Sequence, residues 1–79
     1  MTVLTLRRID RTRNLHRYYC LDVQPDLFGS WCFIREWGRI GNRAGQSRTV
    51  PYSTPQEAEV ALERQRRAKL RRGYVGTLS

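Results

Sequence analysis

Trp31, Phe33, Arg35, Trp37, Arg39, Arg43 and Arg48 interleave flat rings with guanidinium groups along one short part of the chain. Rings offer faces to sugars and bases, and guanidinium groups offer paired donors to phosphate oxygens, so the interleaving points to a sugar-phosphate ligand. Within it, the segment REWGRIGNRAGQ (residues 35–46) sets Trp37 beside Gly38 and Arg39. Trp31 and Phe33 read as core residues. Trp37 stands at a strand end, where Gly38 opens room next to the indole, and it fits a core and a surface position equally well. Arg64, Arg67 and Arg71 form a second basic set, which suits either a phosphate-tracking surface or a plain solvated helix face.

Catalytic chemistry finds no comparable set. His16 is the one histidine of the chain, in a segment that places no serine or carboxylate beside it. Asp10, Asp22 and Asp26 lie in or near turns, where aspartate commonly satisfies backbone donors. The glycines of WGRIGNRAG match neither the phosphate-binding loop that ends in Lys-Ser/Thr nor the GxGxxG dinucleotide fingerprint. Cys20 and Cys32 have no metal-site spacing, so no metal and no cofactor is expected. They fall in segments read as neighbouring strands, where they could lie near each other, although two reduced thiols is the simpler expectation.

The charge balance favours the same ligand class. Fifteen basic residues oppose seven acidic ones, giving +8 at pH 7, and every basic residue but Lys69 is arginine. Such an excess suits a polyanionic partner, though a codon bias toward arginine produces the same composition. Seventy-nine residues suffice for one modest core and leave little room for a large enclosed active site. The apolar runs are far shorter than the roughly 20 residues of a membrane span, and the arginine-rich start does not read as a signal peptide. An intracellular, cytoplasmic protein with no membrane partner and no small-molecule substrate is expected, with nucleoid association open.

The elements that must position these residues follow from periodicity. Residues 2–9 read as a first strand, with a polar turn at 10–14. In the second strand Leu15, Tyr19, Leu21 and Val23 alternate with His16, Tyr18, Cys20 and Asp22, which gives one apolar face. QPDLFG (24–29) turns the chain into a third strand whose one face carries Trp31, Phe33, Arg35 and Trp37. GNRAG (41–45) reads as a hairpin connection, its glycines and asparagine tolerating positive φ, and a fourth strand runs over 46–52. These connections are too short for parallel crossovers, so an antiparallel meander is expected. Thr54-Pro55-Gln56-Glu57 then fits a capping box with proline at the first helical position. Ala58, Ala61 and Leu62 make a narrow apolar stripe that Gln65 and Lys69 continue less convincingly. Glu63 is spaced to pair with Arg67, and Gly73 to end the helix, after which Tyr74 and Val75 can fold back onto the sheet.

WGRIG at 37–41, the aromatic strand before it, Gly45-Gln46 after it, the capped helix with Glu57-Ala58, and the closing Lys69 and Gly73-Tyr74 together resemble the WGR domain family. The likeness runs from about Leu15 through Tyr74 and includes Tyr19, Leu21 and Val23. It implies an α+β fold, a small antiparallel sheet of about four strands packed with one C-terminal helix, filling residues 1–79 as one domain. The family occurs within DNA-damage-responsive poly(ADP-ribose) polymerases and as short stand-alone bacterial proteins, which this chain resembles more. In the polymerases the motif tryptophan packs on the sugar of a terminal nucleotide and the motif arginine contacts DNA and neighbouring domains. Those roles would fall on Trp37 and Arg39, with Gly38 permitting close approach. Gln65 departs from the larger apolar residue expected at its helix position.

The combined expectation is a non-enzymatic module that binds nucleic acid, DNA before RNA, at ends, nicks or exposed sugar-phosphate. Trp37, Gly38, Arg39, Arg35, Arg43 and Arg48 carry the contact, and Arg64, Arg67 and Arg71 are secondary. The alternatives are RNA binding, or a protein-interaction or homodimer surface built on the same Trp37 and Arg39.

Overall fold

A computed structural model describes residues 2–42 and 44–78 of the chain. The elements, in order, are β1 (Thr2–Asp10), β2 (Leu15–Pro25), β3 (Trp31–Arg39), β4 (Gln46–Tyr52), α1 (Pro55–Arg71) and β5 (Val75–Leu78). The first four strands are the expected meander, each antiparallel to the one before. The sheet has five strands rather than about four, in the order β4-β3-β2-β1-β5. β5 pairs antiparallel with β1, Leu6 facing Gly76. VGTL is short, lacks alternation and meets a partner almost the whole chain away, so nothing local marks it as a strand.

Between β4 and β5 the chain must travel from one sheet edge to the other, and α1 carries it across one face. That face holds the core: Leu4 and Leu6 of β1, Tyr19, Leu21 and Val23 of β2, Phe33 of β3, Ala58 and Leu62 of α1, and Tyr74. Leu6, Leu21 and Val23 are fully buried, each worth about 1.5–3 kcal/mol relative to an exposed position. The period-two pattern of β2 and β3 thus sets which side chains lie under the helix. Trp31, Trp37, Tyr52 and Ala61 are half-buried at the rim of this core.

The helix ends are built locally. Thr54 Oγ1 accepts from the backbone N–H of Glu57 at 3.2 Å, with Pro55 in the first turn. At the other end Gly73 adopts φ +95°, its N–H donates to Leu70 O at 3.1 Å and that of Tyr74 donates to Lys69 O at 3.1 Å. This pair of bonds satisfies carbonyls that would otherwise be orphaned and turns Tyr74 into the core. Glu63 accepts from Arg67 Nε at 3.1 Å and also from Arg66.

Two other expectations change. Across β2 and β3, Cys20 faces Glu36 and Cys32 faces Gln24, so the two thiols stand four residues apart along the sheet, roughly 13 Å, and both are free. Asp10 and Asp26 do serve turns, accepting from the backbone N–H groups of Thr12 and of Phe28 and Ser30 respectively. Asp22 instead lies within β2 and accepts from the Gln24 side chain. Among the described residues no helix is long and apolar enough to cross a membrane, and no group of three His, Cys, Asp or Glu side chains could hold a metal ion.

Candidate functional site

Strand register brings basic side chains together in pairs. Arg17 of β2 stands opposite Arg39 of β3, and Arg35 of β3 opposite Arg48 of β4. Like charges directly opposite destabilise a sheet, and here they share the helix side, where α1 adds Lys69 to the same cleft. Arg17, Arg35, Arg39, Arg48 and Lys69 line an open cavity of about 710 Å³ together with Tyr18, Tyr19, Trp37, Gly38, Gln65 and Tyr74. No carboxylate is among these lining residues. A concave surface with five cations and no counter-charge of its own favours an anion of several charges.

The floor is aromatic. Trp37 faces Tyr19 across the strands, and their rings stack with centroids 5.5 Å apart and planes 10° from parallel. Tyr74 meets Tyr19 edge-on at 6.2 Å. The Lys69 ammonium sits 4.4 Å from the Tyr19 ring centroid, a cation-π distance. Burial first, then the positive charges of Arg72, Arg35 and Arg17, push the Lys69 pKa below its usual value. An incoming phosphate would reverse the second of these effects. Trp37 is thus neither fully core nor fully surface: it is half-buried, packed on one side and lining the cleft.

Gln65 is the link between helix and sheet at this place. Its Nε2 donates to Tyr19 Oη at 3.2 Å, and its Oε1 accepts from Arg35 Nη1 at 3.4 Å. A larger apolar side chain would fill the space but leave Tyr19 Oη and Arg35 without this partner. Arg35 is half-buried, with its guanidinium carbon 5.9 Å from the rings of both Phe33 and Trp37. Its Nε is buried with no hydrogen-bond partner, an unsatisfied donor beside the cleft. Arg39 is exposed, reaching Asn14 O at 3.5 Å through Nη1.

Gly38 serves a different purpose from the one expected. Its missing side chain would point away from Trp37, onto the other sheet face, where a Cβ would come within 3.1 Å of Gly45 Cα and 3.2 Å of Tyr18 Cε1. Gly45 does not take a positive φ; a Cβ there would overlap the Tyr18 hydroxyl and meet Trp37 O at 3.0 Å. The two glycines let the β4 entry and the Tyr18 ring close against the strand that carries Trp37. They do not clear room beside the indole.

Of the expected site residues, the cleft gathers Trp37, Gly38, Arg39, Arg35 and Arg48, and Arg43 lies outside the described residues. Arg64, Arg67 and Arg71 are not part of it; with Val60 and Glu63 they line a shallow depression on the helix. Arg17, Tyr18, Tyr19, Gln65, Lys69 and Tyr74 are the lining residues that sequence reasoning did not place at the site. Two signals were available. Arg17 precedes Tyr19 by two residues, hence shares its face, and Gln65 with Lys69 extends the buried helical stripe at i, i+4.

Comparison with known proteins identifies the family. The family model for the WGR domain matches residues 2–78. An uncharacterized protein, y4dW, of Sinorhizobium fredii (strain NBRC 101917 / NGR234) is 38% identical over 71 residues, covering 90% of this chain and 34% of that protein. Poly [ADP-ribose] polymerase 1 of Oryza sativa subsp. japonica is 46% identical over 39 residues, covering 48% of this chain and 4% of the polymerase. The chain therefore corresponds to about a third of the first relative's length and a small part of the second's.

Proposed function

The chain belongs to the WGR domain family, and from that premise and the cleft together we propose that it is a non-enzymatic nucleic-acid-binding module that takes DNA where a sugar face is exposed, at ends or nicks. The observation that carries the reading is the pairing of Arg17 with Arg39 and of Arg35 with Arg48 around a half-buried Trp37. A sheet gains nothing from such pairs, whereas a phosphate neutralises them.

In this reading the exposed part of the Trp37 indole packs on the sugar or base of a terminal nucleotide. Arg39 and Arg17 hold one phosphate at the cleft mouth, and Arg48, Arg35 and Lys69 hold the next. Gln65 fixes Arg35 and Tyr19, so that guanidinium and stacked rings are set before the ligand arrives and less ordering cost falls on binding. A duplex interior presents its sugars side-on and its bases stacked. An end or nick frees one nucleotide face for the indole. A cytoplasmic location beside the nucleoid goes with that ligand.

The test uses labelled intact, nicked and blunt-ended duplexes of DNA, with matched RNA as competitor, across a salt series. A folded Trp37→Ala protein is expected to lose at least about fivefold in affinity for ends, the low end of the roughly 1–3 kcal/mol expected from one stacked base, and a folded Arg39→Ala protein to bind more weakly with a log-log salt slope lessened by about 0.9. Unchanged binding of all three DNA forms by both variants overturns the reading. Stronger competition by RNA moves the ligand class to RNA.

A further inference from the structure

The cationic cleft does not stop at Trp37. Between α1 and the edge strand β4 a second cavity of about 230 Å³ shares Arg35, Arg48 and Gln65 with it and adds Phe33, Val50, Tyr52, Ala61 and Arg64. A third, of about 320 Å³, shares Tyr52, Ala61 and Arg64 with the second and ends on Gln56 and Glu57. The three hollows form one groove along the helix-side face of β4, because alternate residues Arg48, Val50 and Tyr52 point the same way. Cations stand along it at Arg39, Arg48 and Arg64, and a second ring, Tyr52, is half-buried in its wall. The first carboxylate along this path is Glu57, in the first turn of α1.

We propose that this groove is a track for an unpaired DNA strand that continues from the nucleotide held at Trp37, with Tyr52 as a second stacking platform, Arg48 and Arg64 on its phosphates, and Glu57 as its limit. The proposal rests on the reading of the Trp37 cleft given above and adds to it a preference for ends with a single-stranded overhang. Sequence-tolerant binding of a single strand calls for ring faces alternating with a line of cations, and the groove has both. From Gln46, opposite Trp37, to Tyr52 the strand β4 advances about 20 Å at roughly 3.3 Å per residue. A stacked strand covers that length in about six nucleotides at about 3.4 Å each, and an extended one in fewer.

The experiment measures affinity by anisotropy for one duplex end made blunt or extended by 2, 4, 6 or 10 unpaired nucleotides, on the 5′ and on the 3′ strand. Overhangs of one polarity should raise affinity at least fivefold, about the least expected from one stacked base, with the gain complete by about six nucleotides. Tyr52→Leu and Arg64→Gln should each reduce the gain and leave blunt-end affinity within about twofold, while Tyr52→Phe keeps it, since only the ring is used. Arg64 is exposed on the helix, so its variant keeps the test open if Tyr52→Leu unfolds. Equal affinity for blunt and extended ends overturns the track and leaves the Trp37 reading standing, as does a gain that both variants preserve. A parent protein that binds no DNA overturns both.

Discussion

Lys69 and Gly45 show how much of the site rests on single side chains. Burial over the Tyr19 ring, and then the charges of Arg72, Arg35 and Arg17, hold the pKa of the Lys69 ammonium below the usual lysine value. A group with a lowered pKa gives up its charge at lower pH than free lysine. Affinity for DNA is therefore expected to decline on the alkaline side before the ordinary lysine range is reached, and Lys69→Arg should flatten that limb, as arginine stays protonated. A parent profile flat to pH 10.5 would remove Lys69 from the contact. Gly45→Ala puts a methyl against the Tyr18 hydroxyl and Trp37 O, which the far end of the Tyr18 side chain can relieve by shifting, so the cost is expected at about 1 kcal/mol, the low end for overpacking. Tyr18→Phe removes one side of that clash, so the double variant should unfold at a higher urea midpoint than Gly45→Ala alone. Additive costs in the cycle would show that the two residues do not compete for space.

At the scale of elements, α1 is both the core's cover and the site's back wall. Its inner stripe passes from apolar to polar along its length: Ala58 and Leu62 seal the core, Gln65 bonds the sheet, and Lys69 enters the cleft. The hydrogen bond from Arg66, opposed by partial burial and joined by that from Arg67, holds Glu63 at about 2, against an ordinary 4.5. The folded-state value is the lower one, so this stabilisation is complete above about 4.5 and is lost as pH falls toward about 2. Thermal unfolding followed by helix circular dichroism should show the midpoint falling through that window, and Glu63→Gln should lose that part of the fall. The effect is small because the group is solvated. An identical acid limb in the variant would mean that Glu63 gains nothing from its arginines in the folded state.

The whole molecule, 45 by 25 by 18 Å, is charged unevenly. The turn after β1, the start of β2, the end of β3 and the end of α1 lie at one end, because Asp10 pairs with Leu15, Arg17 with Arg39, and Lys69 sits over Tyr19. Among the described residues, that end holds Arg8, Arg11, Arg13, Arg17, Arg39, Arg71 and Arg72. The hairpin tip at the opposite end holds Leu27 and Phe28, 97% and 92% exposed, and the helix start with Glu57 lies on that side. A polyanion is thus drawn to the cleft end first. The log-log slope of affinity against salt should lessen by about 0.9 for each arginine-phosphate contact removed, so Arg17→Gln and Arg39→Gln should each show this and Arg13→Gln, on the turn outside the cleft, should show less. Equal slopes for all four proteins would mean that the cleft arginines hold no phosphate.

The sequence by itself determined the four-strand meander, the faces of β2 and β3 on which the apolar and aromatic residues lie, both helix caps and the family. These depend on near neighbours: alternation along a strand, a threonine three residues before the N–H it caps, a glycine where the chain must turn left-handed. The fifth strand, the meeting of Arg17 with Arg39, the seat of Lys69 on Tyr19, and the Tyr18 ring that explains Gly38 and Gly45 were decided by tertiary structure. Each joins residues far apart in the chain, and their meeting is set by strand register and by where the helix crosses the sheet. Neither is encoded in the spacing of neighbouring residues.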